Sequence, residues 1–338
     1  MRVFIAGASG AIGSRLVPQL VERGHEVVGT YHSPGNDEGL RALGAEPVAL
    51  DLLDREAVLA AVRAARPDAV VHEATALANQ TFSRNFDRTF AATNRLRTEG
   101  TDALLAAAWD VGVRRIVAQS FASYRYARVG GPVKTEDDPL DPDPPTSMRN
   151  GFAALRHLEE AVASVSGIVL RYGGFYGDPD DGMLDPVRKG RFPIVGDGGG
   201  MTSFVHLDDA ASATVLAIEG GEPGIYNVCD DEPAPAREWL PFMAQTLGAR
   251  PPRRIPAFAA RILAGGAAVL IGTEARAASN AKARRELGWE PRYPSWRQGF
   301  PAVYGAPARD AALVATAPTR TARSRPLRAA GAPPRAAG

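Results

Sequence analysis

One cysteine, Cys229, stands in 338 residues. A single thiol cannot build an internal disulfide framework, and it fits a reducing, cytoplasmic setting. Long apolar runs are also missing. The longest without a charge is 262–272, directly after Arg261. A spanning helix needs roughly 20 such residues, so membrane insertion is not expected. The opening MRVFIAGASG reads as a strand entering a glycine turn. It lacks the charged region, apolar stretch and cleavage site of a secretory signal, so secretion is not expected either. Lysine is scarce. Only Lys134, Lys189 and Lys282 occur among 39 basic residues. No Cys/His cluster has zinc spacing. The acidic loop Asp178, Asp180 and Asp181 does not follow a calcium-loop pattern.

What is present is ordinary for a globular chain. Hydrophobic residues make up 45%, enough for a large core. At about 150 residues per domain, the length points to two structural units. The net charge of +1 is unevenly spread. Residues 306–338 hold six arginines against Asp310, which is +5 and leaves −4 on residues 1–305. A body of that charge does not favour nucleic acid as a partner. The tail is rich in Ala, Pro, Arg and Thr and has no period, so it is expected to be disordered.

Strand and helix signals alternate along the first half. Apolar runs at 2–6, 26–30, 47–50, 69–72, 113–118 and 168–171 read as strands. Helical spacing fills the gaps at 11–23, 37–43, 54–65, 94–109 and 148–164. This order predicts an α/β, Rossmann-like doubly wound parallel sheet with helices on both faces. Residues 1–172 are expected to form the dinucleotide-binding domain. Residues 173–305 are expected to form a smaller substrate-binding unit interleaved with the sheet. Ligands of such sheets sit at the carboxyl ends of the strands.

The first strand runs into Gly7-Ala8-Ser9-Gly10-Ala11-Ile12-Gly13, and a helix follows. Gly7 permits the tight turn, Gly10 lets backbone approach a pyrophosphate, and Gly13 allows close helix packing. The helix N-terminus then faces the phosphates. Ser9, Ala11 and Ile12 share this turn. After the second strand comes Val28-Gly29-Thr30-Tyr31-His32-Ser33, without a carboxylate. An acid there binds the ribose of NAD and repels the extra phosphate of NADP. Its absence favours NADP, with NAD possible. Thr30, His32 and Ser33 are the candidate phosphate donors, with Arg41 in reach.

Further pieces carry a resemblance. They are Asp51-Leu52 after the third strand, Val70-Val71-His72-Glu73-Ala74 after the fourth, and Asn94 with Glu99-Gly100-Thr101 beyond. Leu170-Arg171-Tyr172-Gly173, Phe204-Val205-His206-Leu207-Asp208-Asp209-Ala210, Tyr226-Asn227-Val228 and Arg285-Glu286-Leu287-Gly288-Trp289 agree. With the glycine turn they resemble the short-chain dehydrogenase/reductase superfamily, in its extended and atypical NAD(P)-dependent epimerase/dehydratase branch. The resemblance runs from residue 1 to about 303. It implies that Asp51 and Leu52 meet the adenine, that Ala74 and Thr75 line the cofactor cleft, and that Asn94 and Tyr172 border it.

The superfamily's tyrosine, with a lysine four residues later on the same helical face, has no counterpart. Gly130, Asp185 and Ala278 precede the three lysines by four. In the helix that should carry the pair, alignment on Glu159 places Gly151 and Leu155 at its positions. Alignment on Glu160 places Phe152 and Arg156 there. Candidate replacements are Ser120, Tyr124 and Tyr126 after the fifth strand, Arg156, and Tyr176 after the sixth. Phe121 takes the place of the superfamily's serine, with Ser120 and Ser123 near it. His206 reads as structural. Thr202 stands where nucleotide-sugar members carry an arginine, which disfavours such substrates. Phe121, Phe152, Phe175, Met183, Met201 and Phe204 point to a small apolar molecule, such as one of secondary metabolism. The expected activity is an NAD(P)-dependent oxidoreductase acting on a carbonyl or hydroxyl. A non-redox enzyme (cyclase, dehydratase or isomerase) and a nucleotide sensor of the same fold are the alternatives. The oligomeric state stays open between monomer and homodimer.

Overall fold

A computed structural model describes residues 1–77, 85–178 and 184–305. The tail and Met183, Asp180 and Asp181 lie outside the described residues. Seven strands form one parallel sheet: β1 (Arg2–Ala6), β2 (Glu26–Tyr31), β3 (Glu46–Ala49), β4 (Ala69–His72), β5 (Arg115–Phe121), β6 (Ile168–Tyr172) and β7 (Gly224–Val228). Their spatial order is β7-β6-β5-β4-β1-β2-β3. The reversal falls between β1 and β4, where Ala6 pairs with His72. Such a switch point opens a crevice beyond the strand ends.

The main helices are α1 (Gly13–Glu22), α2 (Asn36–Ala42), α3 (Arg55–Ala65), α4 (Thr101–Asp110), α5 (Arg149–Ser164) and α6 (Leu207–Glu219). Asp54 caps α3 by accepting from the Ala57 N–H at 3.0 Å. Leu16, Val17 and Leu20 of α1 are fully buried on one sheet face with Ala210, Ala213 and Ala217 of α6. Val58 and Val62 of α3 pack with Leu104 and Ala107 of α4 on the other face. The strands are therefore covered on both sides, which is why they read as continuous apolar runs. Truncating Leu16 to alanine would cost about 2–5 kcal/mol.

Two details depart from the sequence expectation. The helix expected over 94–109 is broken by a π-turn at Leu96–Gly100. The fifth strand continues to Phe121, because its end pairs with Tyr172 of β6. A further apolar cluster joins Tyr176, Phe204, Trp239, Trp296 and Phe300 beside the sheet. Its chain is interleaved with the sheet, since β7 returns to pair with β6. Among the described residues, one helical stretch, Ala257–Glu274, is long and apolar enough to cross a membrane by length and composition. Its backbone leaves the helix at Gly265, with φ 84° and ψ −179°.

Candidate functional site

The glycine turn closes under steric constraint. Gly7 has φ +90°, and a Cβ there would lie 2.7 Å from the Ala74 backbone nitrogen. Its N–H donates to Thr30 Oγ1 at 3.1 Å, tying β1 to β2. A Cβ on Gly13 would sit 2.4 Å from the Gly7 carbonyl oxygen. Gly10 is exposed, and a Cβ on it would meet only Gly7 O at 3.2 Å. Ile12, at the N-cap of α1, makes no side-chain cap hydrogen bond. Open N–H groups and a helix N-terminus beside a bare glycine suit a pyrophosphate. Ser9 is half-buried, Ala11 exposed and Ile12 buried along this turn.

Around the turn, His32 and Ser33 are exposed just past β2. Arg41 is engaged by Asp37 at 2.5 Å, one helical turn away. Asp51 is exposed after β3 and accepts from the Leu53 N–H at 2.9 Å, while Leu52 is buried. Ala74 is half-buried and Thr75 exposed beyond β4. Apart from Arg41 in α2, these positions follow the carboxyl ends of β2, β3 and β4.

The register of α5 is decided by Glu159. This buried carboxylate accepts from Arg171 Nε at 2.9 Å and Nη2 at 2.7 Å. It also accepts from Arg125 Nη1 and from Ser120 Oγ, both at 2.5 Å. Burial alone would raise its pKa; the charges and hydrogen bonds of Arg125 and Arg171 hold it at about 2. With Glu159 turned inward, Leu155 and Gly151 lie buried one and two turns earlier, and Phe152 is buried beside Gly151. Gly151 donates to Asp87 Oδ1 at 3.1 Å, and a Cβ on it would face Asn94 Oδ1 at 3.9 Å. Arg156 is on the exposed face of α5, beside a shallow depression with Leu140, Glu160 and Ile225. Arg156, the cation offered by the register on Glu160, is exposed while Glu159 is buried.

Four of the other candidates are held inside the fold. Ser120 Oγ is spent on Glu159 and Arg125. Tyr126 donates to Asn227 Oδ1 at 2.6 Å and accepts from Arg171 Nη1 at 3.2 Å. Tyr172 is fully buried, its phenol 2.6 Å from Thr214 Oγ1 and 3.1 Å from Glu73 Oε1. Tyr176 is buried between Phe204, Phe300 and His206, its hydroxyl pressed against Gly299. His206 is structural, accepting from the Asp208 N–H at 3.1 Å to cap α6.

Tyr124 differs from these. It follows β5 with φ +52°, a strained value for a bulky residue and common at functional sites. It is half-buried, in a cup with Phe86, Phe90, Phe152 and Met148. Phe121 lies against its ring at 5.2 Å. Burial pushes its phenol up to about 12, with the charges of Arg97 and Arg125 pulling the other way.

Sequence reasoning missed Glu73, Arg97 and Glu159. Glu73 directly follows the fully buried strand β4, and burial raises its carboxyl to about 8. Thr214 gives its hydrogen to Ala210 O at 2.9 Å. The Tyr172 phenol thus has one hydrogen for two neighbours, and a neutral Glu73 satisfies the chain. Arg97 stands on a buried helical stripe with Thr93, Thr101 and Leu104. That spacing was the available signal for an inward cation.

The NAD dependent epimerase/dehydratase family model matches residues 3–229. A 3-diazoavenalumate denitrifying reductase from a Streptomyces species is 47% identical over 312 residues, 89% of this chain and 99% of that relative. A 2-alkyl-3-oxoalkanoate reductase from Stenotrophomonas maltophilia is 30% identical, covering 74% of this chain and 76% of its own length. The solved Thermus thermophilus UDP-glucose 4-epimerase in complex with NAD superposes with a TM-score of 0.69 at 28% identity. That likeness spans 90% of this chain and 98% of the epimerase. A glycine turn at the switch point of a parallel sheet is a general place for a dinucleotide, and the chain belongs to the NAD dependent epimerase/dehydratase family as an NAD(P)-dependent enzyme of the reductase and epimerase kind.

Proposed function

We propose that this chain is an NADP(H)-dependent reductase of a small, apolar-bodied carbonyl compound, with Tyr124 as its proton donor. The carrying observation is Tyr124 itself. It is a strained, half-buried phenol in an aromatic cup at the end of β5, next to the place left by the missing Tyr/Lys pair. Both relatives described above are named as reductases, one of a diazoavenalumate and one of an oxoalkanoate.

Residues of this chain would hold the dinucleotide at Gly7, Ser9, Gly10, Ala11, Ile12 and Gly13. Asp51, Leu52, Ala74 and Thr75 would flank it, and Asn94 would border the cleft. The absence of a carboxylate after β2, with His32 and Ser33 exposed there, supports NADP. When bound, the cofactor supplies hydride. Tyr124 then orients the acceptor oxygen and releases a proton to it. A phenol held near 12 stays protonated at neutral pH, so it carries the proton that reduction needs and is a poor base. That favours reduction over alcohol oxidation. The aromatic cup excludes water and packs the substrate body.

Fluorescence titration with NADPH and NADH tests the cofactor, and NADPH consumption over a panel of aryl and alkyl ketones tests the reaction. NADPH is expected to bind more tightly. Tyr124→Phe is expected to keep that binding and lose about 10²-fold or more in turnover. Substrate loss without NADPH consumption would overturn the reductase reading. Equal or tighter NADH binding would overturn the cofactor preference.

A further inference from the structure

Four buried cations occur among the described residues: Arg97, Arg125, Lys134 and Arg171. Arg125 and Arg171 share Glu159, and Lys134 pairs with Asp138. Arg97 is 8% exposed. No described carboxylate or hydrogen-bond acceptor meets its guanidinium. A buried charge without a counter-ion is costly, and such a group is usually paired. Burial pushes the Arg97 pKa down to about 10, which still leaves it charged at neutral pH.

Its surroundings point to a ligand. Arg97 sits in the π-turn Leu96–Gly100, a backbone form frequent at functional sites. Its charge acts on Tyr124, Arg125 and His72, which stand at the ends of β4 and β5. Two buried polar atoms also lack a partner, Asn94 Oδ1 three residues before Arg97 and Ser123 Oγ next to Tyr124 in the chain. The pyrophosphate has its own site at the uncapped start of α1, after β1. Arg125 and Arg171 both bond to Glu159, so Arg97 is the buried guanidinium without a carboxylate among the described residues. One guanidinium matches the plane and charge of a carboxylate better than a doubly charged phosphate.

We infer that Arg97 is an anion-binding subsite that takes a carboxylate carried on the apolar body of the substrate. The inference rests on the reductase reading and deepens it. The aromatic cup holds the body, Tyr124 faces the reacting oxygen, and Arg97 anchors the acid. It makes the substrate class an apolar carboxylic acid, with neutral analogues disfavoured by an unpaired buried cation.

The test uses trans-cinnamate as an anionic probe and methyl cinnamate as its neutral counterpart, titrated by calorimetry into the full chain saturated with NADP. Cinnamate is expected to bind saturably, and the ester about tenfold more weakly or worse. Arg97→Gln should lose about tenfold or more in cinnamate affinity. It should keep NADP affinity, and its Tm without ligand should not fall, since an uncompensated charge has been removed. Arg97→Lys should recover part of the cinnamate binding. The subsite is overturned if wild type ignores cinnamate or binds both probes alike. It is also overturned if Arg97→Gln loses NADP affinity, or lowers Tm with cinnamate binding intact. Failure of the reductase reading shows elsewhere, as wild-type protein that neither binds nor consumes NADPH. A wild type that reduces neutral ketones and acids equally well would keep that reading and remove this one.

Discussion

Glu159 and Arg171 meet as a two-pronged ion pair, Nε to Oε1 at 2.9 Å and Nη2 to Oε2 at 2.7 Å, inside the protein between α5 and β6. This pair turns one face of α5 inward, and Leu155 and Gly151 are buried on that face one and two turns before Glu159. Breaking a buried pair leaves a charge without compensation and costs about 3–5 kcal/mol. Glu159→Gln is therefore expected to lower the urea midpoint strongly. The pH dependence has a definite sign. The folded pKa of about 2 lies below the ordinary carboxylate value, so the stabilisation is complete above about pH 4.5 and is lost as pH falls toward 2. Urea melts of wild type and Glu159→Gln between pH 2 and 6 should converge at the acid end.

Glu73 titrates in the opposite sense. Burial raises its carboxyl to about 8, so the folded state holds a proton that the unfolded state has released. Stability should fall as pH rises from about 4.5 to about 8. Glu73→Gln keeps the shape of the neutral acid. Its Tm should match wild type near pH 5 and exceed it near pH 8.5. Parallel melting curves at both pH values would refute a neutral Glu73.

The two tyrosines of the β5 turn should separate cleanly. Tyr124→Phe should leave Tm close to wild type while turnover drops by about 10²-fold or more. Tyr126→Phe removes the hydrogen bonds to Asn227 and Arg171 and should lower stability by about 1–3 kcal/mol. Turnover per folded molecule should stay within a few fold. Thermal melts beside single-substrate kinetics decide the matter.

The glycine turn offers a third contrast. Gly13→Ala drives a Cβ to 2.4 Å from the Gly7 carbonyl and 2.5 Å from that of Ala8, and backbone atoms cannot step aside. It should cost about 1–3 kcal/mol in stability. Gly10→Val points toward solvent, and should change stability by only about 0.5 kcal/mol. NADPH binding should nevertheless be lost, as the branched side chain stands where the phosphates approach. Calorimetric titration against a melt of each variant reads both effects.

By itself the sequence determined what is local. Apolar runs and helical periods placed the six early strands and the alternating helices, because both patterns depend on neighbours a few residues apart. The glycine spacing marked the dinucleotide turn for the same reason: the steric need is met within seven residues. The lack of any Tyr-x-x-x-Lys was equally plain. Burial of charge is not local, and there the tertiary structure decided. Glu159 and Glu160 are adjacent and alike, and only the arrival of Arg125 and Arg171 selects the inward one. Ser120 and Tyr126 flank Tyr124 in the chain, yet both are drawn into that ion cluster while Tyr124 is left facing the aromatic cup. Arg97 lies far from Tyr124 in sequence, and the fold brings its charge to bear on the phenol. Which polar groups find partners, and which are left for a ligand, depends on what the whole fold packs against them.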